Sequence, residues 1–90
     1  MRISWDSKKA EANFRKHKVR FSDAESVLFD PLALTLEDQS VSGEQRFVTL
    51  AADALGRVLL MVYTEVQGGF QIISARRATP SERRRYEEGI

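Results

Sequence analysis

The 90-residue sequence contains no cysteine and a single histidine, His17. The first absence excludes a disulfide scaffold and any cysteine-ligated zinc site, and the second excludes a multi-histidine metal centre. No apolar run approaches the roughly 18 residues of a membrane span. The opening stretch MRISWDSKKAEANF has no apolar core of a secretion signal. The expectation is a soluble, cytoplasmic protein with no cofactor and no membrane partner. Linkers, internal repeats and low-complexity segments are also missing. One domain over residues 1–90 follows, burying about 60–65% of its unfolded surface around a thin core. A bound partner can add to its stability by mass action.

The net charge of +1 hides an asymmetry. Residues 1–22 carry seven Lys/Arg against two Asp/Glu, residues 23–72 carry two against eight, and residues 73–90 carry five against three. Both ends are basic and the middle is acidic. If the ends meet in the fold they make a local basic surface of the kind that binds nucleic acid. Charged helix faces that are simply solvated give the same count.

Periodicity places a short strand at Arg2–Trp5. Asp6 then caps a helix running to His17, with Ala10, Phe14 and His17 on one face, Asn13 beside them, and lysines on both flanks. Ser22-Asp-Ala-Glu25 reads as a capping box opening a second helix, Asp23–Phe29. Asp30-Pro31 ends it. Four strands are expected next: Leu32–Glu37, Gln45–Ala52, Arg57–Thr64 and Phe70–Arg77. Asp53-Ala-Leu-Gly56 and Gln67-Gly-Gly69 make turns between the last three, which form an antiparallel meander. Val58–Val62 is apolar on both faces and suits a central strand. Thr79-Pro80-Ser81-Glu82 combines an N-cap, a first-turn proline and a capping-box acid, opening a helix to Glu88. The fold class is α+β: an antiparallel sheet with a short N-terminal strand, two N-terminal helices and one C-terminal helix.

Several pieces, in order and spacing, resemble the BrnT toxin family: Ile3-Ser-Trp5-Asp6, Lys9, Asn13, Lys16-His17, Phe21 with Ala24, and Asp30-Pro31. Glu44-Gln-Arg46-Phe47, Val62-Tyr63-Thr64, Ile72 to Thr79 and Glu82 to Glu87 continue the match over nearly the whole chain. The resemblance implies a RelE-like fold and ribonuclease activity. It also implies a BrnA-like ribbon-helix-helix antitoxin, and operator DNA bound only through the complex with it. The residue after Lys16-His17 is often glycine in that family; here it is Lys18, which stiffens the turn.

Metal-free RNA cleavage needs a base for the ribose 2′-hydroxyl, an acid for the leaving 5′-oxygen, and cations for the charge on phosphate. The catalytic candidates are His17, whose reference pKa is near neutral, Glu44 as a carboxylate base, Tyr63 as a proton donor, and Arg46 and Arg76 as phosphate clamps. Lys9, Lys16, Arg77 and Arg83 are candidates for RNA backbone contacts. Each has a plainer reading. His17 can be a helix C-cap, Tyr63 a core aromatic, Glu44 and Arg46 a structural pair, and Arg83–Arg85 a solvated run. Period two sends Arg76 and Arg77 to opposite faces, so one can meet RNA while the other pairs with an acid. A non-catalytic module that completes a DNA-binding complex with its partner is the competing function.

Overall fold

A computed structural model describes residues 2–38 and 45–89. The elements in chain order are β1 (Arg2–Trp5), α1 (Ser7–His17), α2 (Phe21–Ala24), a 3-10 segment (Glu25–Phe29), β2 (Leu34–Asp38), β3 (Arg46–Ala52), β4 (Val58–Val66), β5 (Gly69–Arg77) and α3 (Pro80–Glu88). The strands form one five-stranded sheet in the order β1-β5-β4-β3-β2. The doubly apolar β4 sits at its centre, hydrogen-bonded on both edges, with Leu59, Met61 and Tyr63 buried on one face and Leu60 and Val62 half-buried on the other.

The α+β class and the antiparallel run from β2 to β5 match the sequence reading. The sheet as a whole does not: β1 pairs with β5 in parallel, Arg2 opposite Gly69 and Trp5 opposite Ile72, so the sheet is mixed. The reason is path. The chain runs up β5 as β1, opposite residues 69–72, and continues in the same sense as α1, whose Asn13 meets Ala75. Gly69 is required there, because a Cβ at this position would land on the Arg2 carbonyl.

One sheet face holds the core. Thr49, Ala51, Leu59, Met61, Tyr63, Ile72 and Ala75 are buried beneath Val19, Phe21, Ala24 and Val27. The second helix differs from expectation. It begins at Phe21, its N-cap position is Arg20 with no side-chain cap, and it tightens into the 3-10 segment after Ala24. The Ser22–Glu25 capping box does not form. Burial sets the phase instead: Phe21, Ala24 and Val27 fall at threefold spacing and are all at most 1% exposed. Burying one such phenylalanine is worth about 2–3 kcal/mol, against about 1 kcal/mol for a cap.

Carboxylates pin the connections. Asp30 accepts hydrogen bonds from the Leu32 and Ala52 backbone N–H groups and from the Tyr86 hydroxyl, tying α3 to β3. Burial alone would raise the Asp30 pKa; the three hydrogen bonds outweigh it and hold the carboxyl below its ordinary value. Asp53, its side chain wholly buried, accepts from Leu55 N and Arg57 N and pairs with the Arg57 guanidinium at 2.7 Å. This closes the hairpin the sequence predicts. α3 is capped as expected, Thr79 and Glu82 completing the box.

Candidate functional site

β1 ends opposite Ile72, so β5 has no strand partner on that side beyond it. Asn13 on α1 takes the place of the missing strand. Its Oδ1 accepts from Ala75 N–H at 3.1 Å, and its Nδ2 donates to Ala75 O at 2.8 Å and to Val19 O at 3.0 Å. The residue is 7% exposed, and an amide side chain is the one group that can satisfy both halves of a peptide edge at once. α1 is thereby fixed along β5 and runs in the same direction. Lys9, one turn before Asn13, stands near Ile72 and Ile73. His17, one turn after, comes level with Arg77, since four helical residues and two strand residues advance by similar lengths.

At the Lys9 end lies a cleft of about 470 Å³. Lys9, Gln45, Arg46, Thr64, Glu65 and Gln71 bring polar groups to it. The sheet register builds this row: Arg46 is opposite Thr64, and Thr64 is opposite Gln71. A β-bulge between Val62 and Tyr63 shifts the pairing of β4 with β5 just beyond. An ammonium, a guanidinium, two carboxamides and a hydroxyl, beside the one carboxylate of Glu65, leave the hollow net positive and suit an anion bearing several acceptor oxygens.

The remaining candidates are placed elsewhere. His17 is half-buried at the last position of α1. It stands eight residues past Lys9, about 12 Å along the helix axis. Lys18 follows it in the left-handed conformation, φ 60°, and donates its N–H to Phe14 O at 2.8 Å. Arg20 covers the Phe14 ring at 4.3 Å. Lys16 and Arg77 are exposed on the same end of the molecule. Arg76 is held by Glu82 through two hydrogen bonds of 2.8 and 2.9 Å. Those bonds hold Glu82 down to about 2 and raise Arg76 above its ordinary value. Arg83 lies 3.7 Å from Glu87 on the solvent side of α3. Tyr63 is buried, its hydroxyl 2.8 Å from Thr49 Oγ1 and its ring stacked on Phe47 at 5.6 Å. Glu44 lies outside the described residues.

The structure therefore brings Lys9 and Arg46 to one cleft and leaves His17, at the far end of α1, outside it. Sequence reasoning passed over Thr64 and Gln71, whose positions opposite Arg46 depend on two hairpin turns and a bulge. It also saw Asn13 only as a neighbour of the apolar stripe. The signal available was its polarity, one turn from both Lys9 and His17 on a face otherwise apolar.

The fold is shared with the crystal structure of the Brucella abortus ribonuclease toxin BrnT. The TM-score is 0.68 at 23% identity, over 88% of this chain and 97% of that one. No curated protein sequence matches the chain. Residues 5–82 match the family described as the ribonuclease toxin BrnT of type II toxin-antitoxin systems. That span runs from the strand beside β5, through Asn13 and the polar cleft, to the Glu82 that clasps Arg76, and so this chain belongs to the BrnT family of type II toxins.

Proposed function

We propose that the protein is a metal-independent endoribonuclease that cuts RNA by attack of a ribose 2′-hydroxyl on the adjacent phosphate. The new bond joins the 2′-oxygen to phosphorus. The bond from phosphorus to the 5′-oxygen breaks, leaving a 2′,3′-cyclic phosphate and a 5′-hydroxyl. The convergence of Lys9 and Arg46 on one polar cleft carries the reading. A phosphate held between these two cations would have its growing charge offset during attack. Glu44 takes the 2′-hydroxyl proton, and the Lys9 ammonium gives a proton to the departing 5′-oxygen. His17, Lys16 and Arg77 at the far end of the seam hold the RNA backbone on one side of the scissile phosphate. Tyr63 and Arg76 serve the scaffold, being engaged by Thr49 and Glu82. A chain with no cysteine and one histidine has no nitrogen–sulfur set for zinc, and scattered carboxylates recruit magnesium only weakly. With the family go a RelE-like fold, a BrnA-like ribbon-helix-helix antitoxin, and operator DNA bound through that complex.

The test is cleavage of RNA by the folded, partner-free protein in excess EDTA, with the end groups identified. Lys9→Ala and Arg46→Ala are expected to lower cleavage by roughly 10²–10³-fold. His17→Gln is expected to stay within about tenfold of wild type. Loss of all cleavage in His17→Gln would move the chemistry to the His17–Arg77 end. Cleavage that needs magnesium would overturn the metal-free mechanism, and RNA binding without any cleavage would favour a non-catalytic module.

A further inference from the structure

The edge of the sheet opposite the α1–β5 seam is built unlike a finished surface. β2 is the last strand in the sheet order, and among the described residues nothing pairs with its outer edge. Edge strands are ordinarily short, bulged or guarded by charge; β2 is five residues long and carries Glu37 and Asp38 at its end, while its first part is uncharged. Here three of the large exposed hydrophobic side chains fall within eight residues: Phe29 at 70%, Leu32 at 67% and Leu36 at 65% exposure. The outer face behind β2 is hollowed. Leu34, Leu36, Val48, Leu50 and Leu60 form an apolar pocket of about 300 Å³ with Arg85 of α3 at its rim. Glu82, also on the rim, is occupied by Arg76 and by the Thr79 N–H. Arg85 makes no ion pair among the described residues, so the rim of this apolar pocket is left positive.

From these observations, and resting on the toxin reading above, we infer that the antitoxin neutralises this protein by adding an extended segment to the free edge of β2. Its apolar side chains enter the pocket beside Leu36 and an acidic side chain meets Arg85. Backbone pairing along an open edge supplies affinity, and the pocket and the arginine supply selection. The charge of the rim favours an acidic partner over a second copy of this chain, whose own Arg85 would accompany its β2. The last residue of β2, Asp38, lies opposite Arg46, so a segment paired along β2 leads toward the cleft that Arg46 lines.

The experiment uses the full chain and the small protein encoded beside it, co-expressed and copurified, with hydrogen exchange and affinity measured. The expected result is protection of the amides of residues 34–38 on complex formation. Leu36→Glu, at a mostly exposed position, is expected to weaken the complex by about 100-fold and Arg85→Glu by about tenfold. Both are expected to keep the melting temperature and RNA cleavage of the parent. Protection confined to α1 and β5, with Leu36→Glu binding normally, would overturn the inference while leaving the toxin reading intact. A dimer of the chain alone that Leu36→Glu abolishes, with antitoxin binding unchanged, would overturn it in favour of a second copy. Absence of RNA cleavage by the partner-free protein would instead strike the functional reading itself.

Discussion

At the scale of single residues, Asn13 does the work of a strand. Replacing it by Ala leaves the Ala75 N–H and C=O buried without partners. Each such group costs about 1–3 kcal/mol, so the expected loss is about 2–6 kcal/mol, read as a fall in melting temperature of roughly 10 °C or more. Lys18 presents the reverse case. It holds a left-handed conformation at the end of α1, where a side chain costs about 1 kcal/mol relative to glycine. Lys18→Gly is expected to raise the melting temperature by about 4–8 °C. The resemblance implies a glycine at this position, and the left-handed backbone angle of Lys18 explains why glycine suits it. Arg76 was legible as a strand-end cation and as one half of a possible acid pair. Its partner Glu82 lies six residues on, across the turn into α3, and that meeting depends on how the helix folds back.

At the scale of elements, α3 carries a pH dependence. Arg76 holds the folded Glu82 carboxyl down to about 2, from an ordinary value of 4.5. A depressed folded value means that the stabilisation is fully present above about pH 4.5 and is lost as pH falls toward 2. Thermal melts across that window are expected to show a declining midpoint, and Glu82→Gln is expected to flatten the decline and lower the midpoint at neutral pH. α3 itself was readable residue by residue, since Thr79, Pro80 and Glu82 are local signals that need no partner. The same holds for the Asp6 cap of α1 and for the existence of the four strands, although in β2 alternation did not report burial, since Leu36 is 65% exposed. The parallel pairing of β1 was not readable: a four-residue strand carries no mark of the neighbour it will choose or the sense in which it will run. The start of α2 departs from its local capping pattern because that pattern competes with the burial of Phe21, and burial stabilises the chain more than the cap does. The candidate site was legible in its cations and not in its grouping, because Lys9 and Arg46 meet only after five strands have taken their register.

At the scale of the whole molecule, the basic ends do come together: β1 and α1, from the first basic stretch, flank β5, from the last. Expression of the chain alone is therefore expected to arrest bacterial growth, with growth restored by co-expressing the antitoxin; healthy growth with abundant folded protein would refute this. RNA affinity is expected to fall with salt, and Arg77→Ala to reduce the slope of log affinity against log salt by up to about 0.7, the share of one phosphate contact on a single strand. The pairing of β1 with β5 has a temporal side as well. The Asn13 contact to Ala75 spans 62 residues of chain. At ordinary synthesis rates of about 5–20 residues per second the second half of the seam follows the first by several seconds. Until β5 has left the ribosome, Lys9 and His17 sit on a helix with no sheet edge to lie against, and Arg46 has no row to join. The nascent chain thus lacks the assembled seam until its last strand is free, and that interval is time in which a partner already made can meet it.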